Sequence, residues 1–469
     1  MKRFLSLKSR GVVVVASLAM FMAQLDGAVL TVALPRIARD FAVPTVSLSL
    51  SITLYLTMLI ALLPVSGWAA DRFGLRRVFL SANVGFAVFS VACALAPDYW
   101  SFIAARALQG AAASLFTPVG RLIMLKRTDK AELVDALAIT AMPMLVAPTF
   151  GPLIGGFIVD YGRWEYIFLL NVPVAALLWG LTLWKVPEFA PEPPRPLDWR
   201  GALLLGAAMI VALTGLDRLA GGIAEPLAWG LITAGGLLGW MTWRHLRCDA
   251  HPIVTLEPLS VAAFRTTSLG AGAVIRLPGR SIIFALPLMF QLALGFSPVL
   301  SGLLLMAISA GDLLCKPLVR PMYERFGFRV TVLAANVGGL LALLALLPVE
   351  GRSLWEVSVI LLVMLASGIS RSVVFTGMSS LTFTALGPAQ MNAGNVLASI
   401  SMQLFNALAV SVTALVLSIS ARAGGRIEPL AWDFRVTLAW LVVIGLWSTL
   451  LLARQLPHRL ADLHREPDD

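Results

Sequence analysis

The chain has 469 residues, of which 58% are apolar and only 13% are charged, and its mean hydropathy is +0.85. Soluble domains average roughly 45–50% apolar and about 25% charged residues. A water-soluble chain of this size could not bury so much apolar surface, so the composition excludes soluble enzymes, nucleic-acid-binding proteins and disordered scaffolds. The net charge of +10 is therefore expected to lie in loops at a membrane surface, and three widely spaced cysteines predict neither a disulfide framework nor a metal cluster.

Apolar runs long enough to cross a membrane follow one another along the whole chain. A helix needs ~20 mostly apolar residues to span the hydrocarbon core. Fourteen such runs are present, at 11–34, 48–70, 78–96, 99–123, 134–159, 164–184, 200–216, 226–246, 267–293, 297–319, 330–348, 355–376, 391–420 and 434–455. The sequence therefore predicts an all-α membrane protein with fourteen transmembrane helices.

Lys and Arg in the connecting segments predict the orientation, because cytoplasmic loops accumulate these residues. With the N-terminus inside, the segments predicted to be cytoplasmic hold most of the 36 Lys and Arg residues, and both termini lie in the cytoplasm. The first apolar run continues through Asp26 without a small-residue cleavage pattern, so we interpret it as an uncleaved helix rather than a signal peptide. The predicted location is the inner membrane of a bacterium.

A short motif occurs twice, in two loops predicted to be cytoplasmic. Residues 71–76 read Asp-Arg-Phe-Gly-Leu-Arg and residues 324–329 read Glu-Arg-Phe-Gly-Phe-Arg, at an offset of 253. Such repeats indicate two related helix bundles that move against each other around a site between them. The predicted organisation is a six-helix bundle at 1–185, a Pro-rich cytoplasmic linker at 186–199, two inserted transmembrane helices at 200–247, a cytoplasmic linker at 248–266, a second six-helix bundle at 267–456, and a cytoplasmic tail at 457–469.

Five groups of residues along the chain form motifs of a known family. They are Leu25-Asp26 with Val29 and Ala33-Leu34-Pro35; Gly67, Asp71-Arg72, Gly74 and Arg76-Arg77; Arg106, Gln109-Gly110 and Ala112-Ala113; Pro148, Gly151-Pro152 and Gly155-Gly156; and Arg163-Trp164, Phe168, Asn171 and Pro173. Together they resemble the major facilitator superfamily, and specifically its fourteen-span drug:proton antiporter branch, from which Ala28, Thr31 and Ala147 depart. The resemblance implies a major facilitator fold of two six-helix bundles with two inserted helices, and exchange of protons for drugs.

Charged side chains inside membrane spans are costly, so each one is a functional candidate. Asp26 lies near the middle of the first span, where we expect it to bind and release a proton; a carboxylate locked in an ion pair is the alternative interpretation. Arg106 in the fourth span stays protonated and could bias a nearby carboxylate or hold an anion. Helix packing through hydrogen bonds to backbone carbonyls is the alternative for Arg106. The resemblance implies a role in proton coupling for the motif around it.

Most of the predicted intramembrane charges are positive. Asp26 and Asp312 are outnumbered by Arg106, Arg276, Arg280, Lys316 and Arg371. Lys316 follows Asp312 by four residues, so these two could neutralise each other. The remaining positive charge must be met by backbone, by amide side chains or by an anionic substrate, unless the long side chains reach water at the span ends. We predict a substrate cavity lined by Gln109, Arg276, Arg280, Lys316, Arg371 and Gln403.

The repeated loops and the fifth span carry two further sets of candidates. Gly74 gives a tight turn its backbone freedom, so we interpret the loops as a gate rather than as orientation signals alone. The predicted gating residues are Gly67, Asp71, Arg72, Gly74, Arg76, Arg77, Glu324, Arg325, Gly327 and Arg329. Small residues and prolines in the fifth span allow close packing and a bend. The resemblance links Pro148, Gly151, Pro152, Gly155 and Gly156 to sealing the cavity, whereas a generic kinked helix is the alternative.

The predicted function is proton-coupled export of small organic molecules, of the multidrug type, by alternating access. A Gly-x-x-x-x-Gly-Lys-Ser/Thr motif is absent from the sequence, so an ion gradient is the expected energy source, and neither a cofactor nor a metal is predicted. An exporter of organic acids or metal-chelating carboxylates such as citrate is the alternative that the positive charges favour. The expected partners are protons, a small organic substrate and membrane lipid, without nucleic acid, and a monomer is expected.

Two other classes of membrane protein fit the sequence less well. A channel would need neither a proton-titrating residue nor gating loops in both halves. A membrane enzyme would need a cluster of catalytic groups, which the four His in predicted cytoplasmic segments and two intramembrane acids do not provide.

Overall fold

The computed structural model describes residues 7–129, 132–189, 196–222, 225–249, 251–351, 353–384, 386–387 and 390–456. Its helices are α1 (Leu7–Asp40), α2 (Ser49–Phe73), α3 (Leu75–Ala94), α4 (Tyr99–Arg127), α5 (Leu133–Tyr161), α6 (Tyr166–Leu169), α7 (Asn171–Lys185), α8 (Trp199–Gly221), α9 (Pro226–Cys248), α10 (Ala262–Ser268), α11 (Ala271–Val274), α12 (Leu277–Leu288), α13 (Pro298–Phe326), α14 (Phe328–Leu344), α15 (Leu354–Thr384), α16 (Met391–Ala423) and α17 (Ala431–Ala453). Most of the Pro-rich part of the predicted linker and the predicted tail at 457–469 lie outside the described residues.

The prediction of an all-helical, multi-pass membrane protein is confirmed at the level of helices. Eleven of the described helical segments are long and apolar enough to cross a membrane, and Phe328–Leu344 is a shorter apolar helix. The predicted runs at 134–159 and 226–246 also form helices, α5 and α9, but they are not among the eleven.

Two of the predicted spans are interrupted: the run at 164–184 contains α6 and α7, and the run at 267–293 is broken more extensively. The run at 267–293 contains the end of α10, then α11 and α12, and it finishes in a π-helix at Met289–Ala293. Pro278, in the first turn of α12, lacks the backbone N–H that would continue a helix from the preceding turn. The segment Ala262–Ala293 is still long and apolar enough to cross a membrane, and the break within it places Arg276 at the N-cap of α12.

Local sequence explains where several helices begin and end. Asp98 caps α4, because its carboxylate accepts the backbone N–H groups of Trp100 and Ser101, and the Ser101 N–H bond lowers the pKa of Asp98 below its ordinary value. Gly74 ends α2 with φ of 87°, and Gly327 ends α13 with φ of 83°. Glycine adopts this left-handed backbone without the steric cost that a side chain brings.

The chain divides into two compact units. The first contains Met1–Gly215 and Pro226–Ile253, and the second contains Leu216–Glu225 and Val254–Asp469. The first unit thus holds α1 to α7, all of α9 and most of α8, whereas α10 to α17 belong to the second.

Equivalent pairs of helices contact each other in the two units. In the first unit α1 contacts α5 and α7, and α4 contacts α2 and α3; in the second, α12 contacts α16 and α17, and α15 contacts α13 and α14. Gly110 of α4 lies against the carbonyl of Tyr55 in α2, and Gly368 of α15 lies against the carbonyl of Ile308 in α13. Since Tyr55 and Ile308 are also 253 residues apart, the repeat read from the loops extends into the helix contacts.

Candidate functional site

A buried ion pair occupies the middle of the first unit. Asp26 projects from α1 and Arg106 from α4, and Arg106 Nη1 donates to Asp26 Oδ2 over 2.8 Å. The two side chains are 0% and 1% exposed. Two opposite charges out of water are stable only when each is paired and its remaining polar atoms are hydrogen-bonded.

Three amide and hydroxyl side chains complete this network. Gln109 Nε2 donates to Asp26 Oδ1 at 3.0 Å, and its Oε1 accepts Arg106 Nη1 at 2.6 Å. Asn171, the first residue of α7, donates to Asp26 Oδ1 at 2.8 Å and to Ser90 Oγ at 2.9 Å. We call Asp26, Arg106, Gln109, Asn171 and Ser90 the carboxylate network. It joins α1, α3, α4 and α7 within one unit.

Aromatic rings surround the cation of the carboxylate network. The Arg106 guanidinium lies 4.5 Å from the ring centroid of Tyr55 and 5.7 Å from that of Phe168. Such contacts stabilise a desolvated cation. They cover the guanidinium, and the Asp26 carboxylate, itself fully buried, depends on its protein partners.

The predicted coupling residues Asp26 and Arg106 therefore meet in the structure, and Gln109, predicted to line a substrate cavity, lies between them. Sequence reasoning missed Ser90, Tyr55 and the role of Asn171. Asn171 already belonged to the motif near the sixth span, which was the available signal, whereas Ser90 and Tyr55 carried none.

Two of the predicted small residues in α5 hold that helix tightly against α1. A side chain on Gly151 would meet the Ala28 side chain at 2.6 Å, and one on Gly155 would meet the Val29 carbonyl oxygen at 2.6 Å. Glycine is required at these positions because the helix backbones approach so closely. The contact lies immediately after Asp26 in the sequence of α1. Pro148 and Pro152 are both inside α5.

A second ion pair lies in the other unit. Arg371 Nη2 of α15 donates to Asp312 Oδ2 of α13 at 3.0 Å, and Lys316 Nζ lies 3.7 Å from Asp312 Oδ1. The Asp312 and Arg371 side chains are 18% and 15% exposed, and that of Lys316 is 40% exposed. The Asp312 carboxylate thus pairs with two of the predicted cavity cations, Arg371 and Lys316.

Arg276 and Arg280 lie one helical turn apart at the start of α12, against the ring of Phe375. Their guanidinium carbons are 5.6 and 4.8 Å from its centroid. A cavity beside them is also lined by Ser401 and Asn406 of α16. Asn406 donates to Gln403 Oε1 at 2.6 Å, which connects the last predicted cavity residue to this region.

The predicted gating residues lie at the two equivalent helix junctions. Arg76 Nη2 donates to the Leu183 carbonyl at 2.8 Å, and the Arg72 guanidinium stands over Trp68 and Phe73. No side chain, that of Asp71 included, accepts a capping hydrogen bond from the N-terminus of α3, which begins after Gly74.

At the second junction the Glu324 carboxylate accepts a hydrogen bond from Arg320 at 2.8 Å, and the Arg325 guanidinium lies over the ring of Phe326. Arg77 and Arg329 occupy the first turns of α3 and α14, while Gly67 lies inside α2.

A further polar cluster links the start of α8 to the end of α9. Asp198 accepts the N–H of Gly201 at 2.7 Å and of Ile253 at 3.1 Å, and lies 2.8 Å from His245 Nε2. Burial raises the pKa of the Asp198 carboxyl, but these hydrogen bonds outweigh it and lower the pKa below its ordinary value. Asp249 Oδ2 lies 3.7 Å from His245 Nε2. Because both oxygens of Asp198 already have partners, we interpret the cluster as a structural tie.

Comparison with known families decides the identity of this architecture. The model of the Major Facilitator Superfamily matches residues 16–410. The chain belongs to the major facilitator superfamily. It is therefore a multi-pass membrane transporter of small molecules and not an enzyme.

Relatives agree with this membership, and a solved structure has the same fold. Multidrug resistance protein MdtD of Cronobacter sakazakii is 32% identical over 86% of this chain and 85% of its own. Transport protein HsrA of Haemophilus influenzae is 31% identical over 94% of this chain and 96% of its own. A crystal structure of a D-xylose-proton symporter is 15% identical, with a TM-score of 0.68 over 96% of this chain and 98% of that one. The family resemblance read from the motifs is confirmed.

Proposed function

We propose that this transporter is a proton-coupled exporter of small organic molecules, an antiporter of the multidrug type that works by alternating access. One observation carries the proposal: the chain buries a titratable carboxylate, Asp26, in a network of hydrogen-bond donors inside a predicted span. The name of the MdtD relative supports an efflux role. In this proposal the chain crosses the bacterial inner membrane fourteen times, with both termini in the cytoplasm.

The carboxylate network supplies a reason for coupling. When Asp26 is ionised, it neutralises Arg106 and accepts bonds from Gln109 and Asn171. A proton on Asp26 removes the negative charge and replaces one acceptor site with a donor. Arg106 then keeps its charge, so the partners must rearrange. Because the residues of the carboxylate network lie on four helices, binding of one proton changes the packing that holds those helices together.

The helix junctions and α5 complete the proposal. The gating role belongs to the loops around Gly74 and Gly327, where tight turns hold basic residues close to helix ends. We assign the sealing role to α5, because its glycines let α5 pack closely against α1 next to Asp26. A tight α1–α5 contact would limit proton leak through the first unit.

Reconstituted protein tests the coupling. Proteoliposomes with an imposed pH gradient are supplied with the fluorescent cation ethidium, and its movement against its own gradient is followed. Asp26→Asn is expected to abolish gradient-driven movement while downhill ethidium exchange persists, because the neutral amide has nearly the shape of the carboxylate but cannot carry a proton. Asp26→Glu is expected to restore part of the driven movement.

The matched control is Asp129→Asn, which removes an exposed acid outside the carboxylate network. It is expected to behave as the natural protein does. Full gradient-driven transport by Asp26→Asn would refute proton carriage by Asp26.

A further inference from the structure

The second unit contains a cavity with two uncompensated positive charges. Arg276 Nε and Nη2 and Arg280 Nε are buried and donate no hydrogen bond to any of the described residues. The nearest intramembrane acid of this unit, Asp312, is already engaged by Arg371 and Lys316. Burying charged donors without a counter-charge is costly, and a functional ligand is the common reason that such groups persist in a membrane span.

The position of the arginines adds to the positive potential. Arg276 is the N-cap of α12 and Arg280 lies in its first turn, where the helix dipole is positive. Arg371 lies beside Gly279 in the same turn, but its own charge is paired with Asp312. A cationic ligand would therefore be repelled here, and an anion would be attracted.

The side chains that line the cavity also indicate which kind of ligand would bind there. The ring of Phe375 lies beneath both guanidinium groups. Met402 and Phe405 add apolar surface, and Ser401 and Asn406 add polar atoms at the same cavity. A carboxylate can receive two parallel N–H bonds from one guanidinium, and apolar surface on the ligand would contact the aromatic and thioether side chains.

We propose that the cavity beside Arg276 and Arg280 is a binding subsite for organic anions with an aromatic body, of which aromatic carboxylates are the simplest class. The inference deepens the proposed export function and rests on it, because it adds aromatic organic anions to the small molecules that this exporter carries, at a subsite separate from the one that a cation such as ethidium would use. The first unit would then handle the proton and the second unit the anion. At the offset of 253, the position equivalent to Asp26 is Gly279, which lies between the two arginines.

Binding is tested on the full chain in nanodiscs of phosphatidylcholine, a lipid without net charge. The probe is 2-naphthoate, and 2-naphthamide is the neutral probe of the same shape. Calorimetry is expected to detect the carboxylate and to show binding of the amide at least about tenfold weaker, the effect of one lost charge-assisted bond. Equal binding of the two probes would overturn the proposal.

Variants locate the binding. Arg276→Gln and Arg280→Gln are each expected to weaken naphthoate binding by about tenfold or more, and Arg280→Lys by less, because it keeps the charge. Arg320→Gln is the control, since Arg320 is 88% exposed and pairs with Glu324 outside the cavity. Unchanged binding by both glutamine variants would place the anion elsewhere and refute the assignment.

Two further arms separate the possible causes of failure. Naphthoate binding is measured without a pH gradient, so a failed proton-coupling experiment leaves this assignment standing. Phosphatidylglycerol nanodiscs test an anionic lipid as the source of the anion. If that lipid displaces naphthoate completely, the subsite serves a lipid headgroup and not a transported carboxylate.

Discussion

The ionised pair of Asp26 and Arg106 costs desolvation energy that its partners must offset. Both side chains are buried, and the Asp26 oxygens accept bonds from Arg106, Gln109 and Asn171. A buried pair gives little net stability, but removal of one member leaves an isolated charge. Each member therefore needs the other for stability, whatever its role in transport.

Arg106→Ala is expected to lower the free energy of unfolding by about 3 kcal/mol, because it strands the Asp26 carboxylate. Asp26→Asn is expected to destabilise as well, since it strands Arg106. The double variant should lose less than the sum of the two single variants. Thermal unfolding in detergent measures all three. Additive losses would show that the two side chains do not act as a pair.

Helix packing in the first unit depends on glycine where backbones touch. Gly110 of α4 lies against the Tyr55 carbonyl of α2, beside the ring that covers Arg106. A methyl group there would push α4 away from α2. The carboxylate network would be distorted by the same movement, since Arg106 and Gln109 are both on α4.

Gly110→Ala is expected to destabilise the protein by about 1–3 kcal/mol, the usual cost of overpacking. Gly180→Ala in α7 is the matched control, because no heavy atom lies within 4 Å of a side chain built there. Alanine favours a helix over glycine, so this control should be neutral or slightly stabilising. Thermal unfolding compares the two, and equal effects would contradict the close contact.

The N-terminus of α8 is held by Asp198, which also reaches His245 at the end of α9. Asp198→Ala removes the cap and is expected to cost about 1 kcal/mol at neutral pH. The folded state lowers the pKa of Asp198, so its stabilisation is present above the ordinary aspartate pKa and is lost as pH falls through the lowered value. Thermal unfolding at several pH values should show the difference between variant and natural protein shrinking at acidic pH.

The two units share a backbone plan and differ in their buried charges. Gly74 and Gly327 end equivalent helices, and the same helix pairs contact each other in both units. Only the first unit has a carboxylate at the position of Asp26, while the second has Gly279 between two arginines. A repeated scaffold with different polar side chains allows two tasks in one transporter.

The proposed orientation of the whole chain can be tested with a native cysteine. Cys248 is exposed, whereas Cys93 and Cys315 are buried. A membrane-impermeant maleimide is expected to label Cys248 in inverted vesicles and not in intact cells, because this segment is predicted to be cytoplasmic. Ile427→Cys in a Cys248→Ser background should show the opposite pattern, since Ile427 is exposed in a segment predicted to lie outside. Labelling of both from one side would refute the topology.

Much of this protein followed from local properties of the sequence. Apolar length predicted where the helices lie, because a helix must satisfy its own backbone in lipid. Gly74 and Gly327 marked equivalent turns, because their positive φ is a requirement of one residue and its neighbours. The break of the ninth span escaped prediction, since hydropathy does not register how Pro278 interrupts backbone bonding within an apolar run.

The tertiary structure alone decided which charges on separate helices have partners. Asp26 meets Arg106 and Asn171, which are 80 and 145 residues away, and Arg371 meets Asp312 from 59 residues away. Among the described residues no acid pairs with Arg276 or Arg280, because helix packing brings Asp312 to Arg371 instead. An ion pair depends on distances of a few ångströms between separate helices, which the order of residues along one chain does not determine.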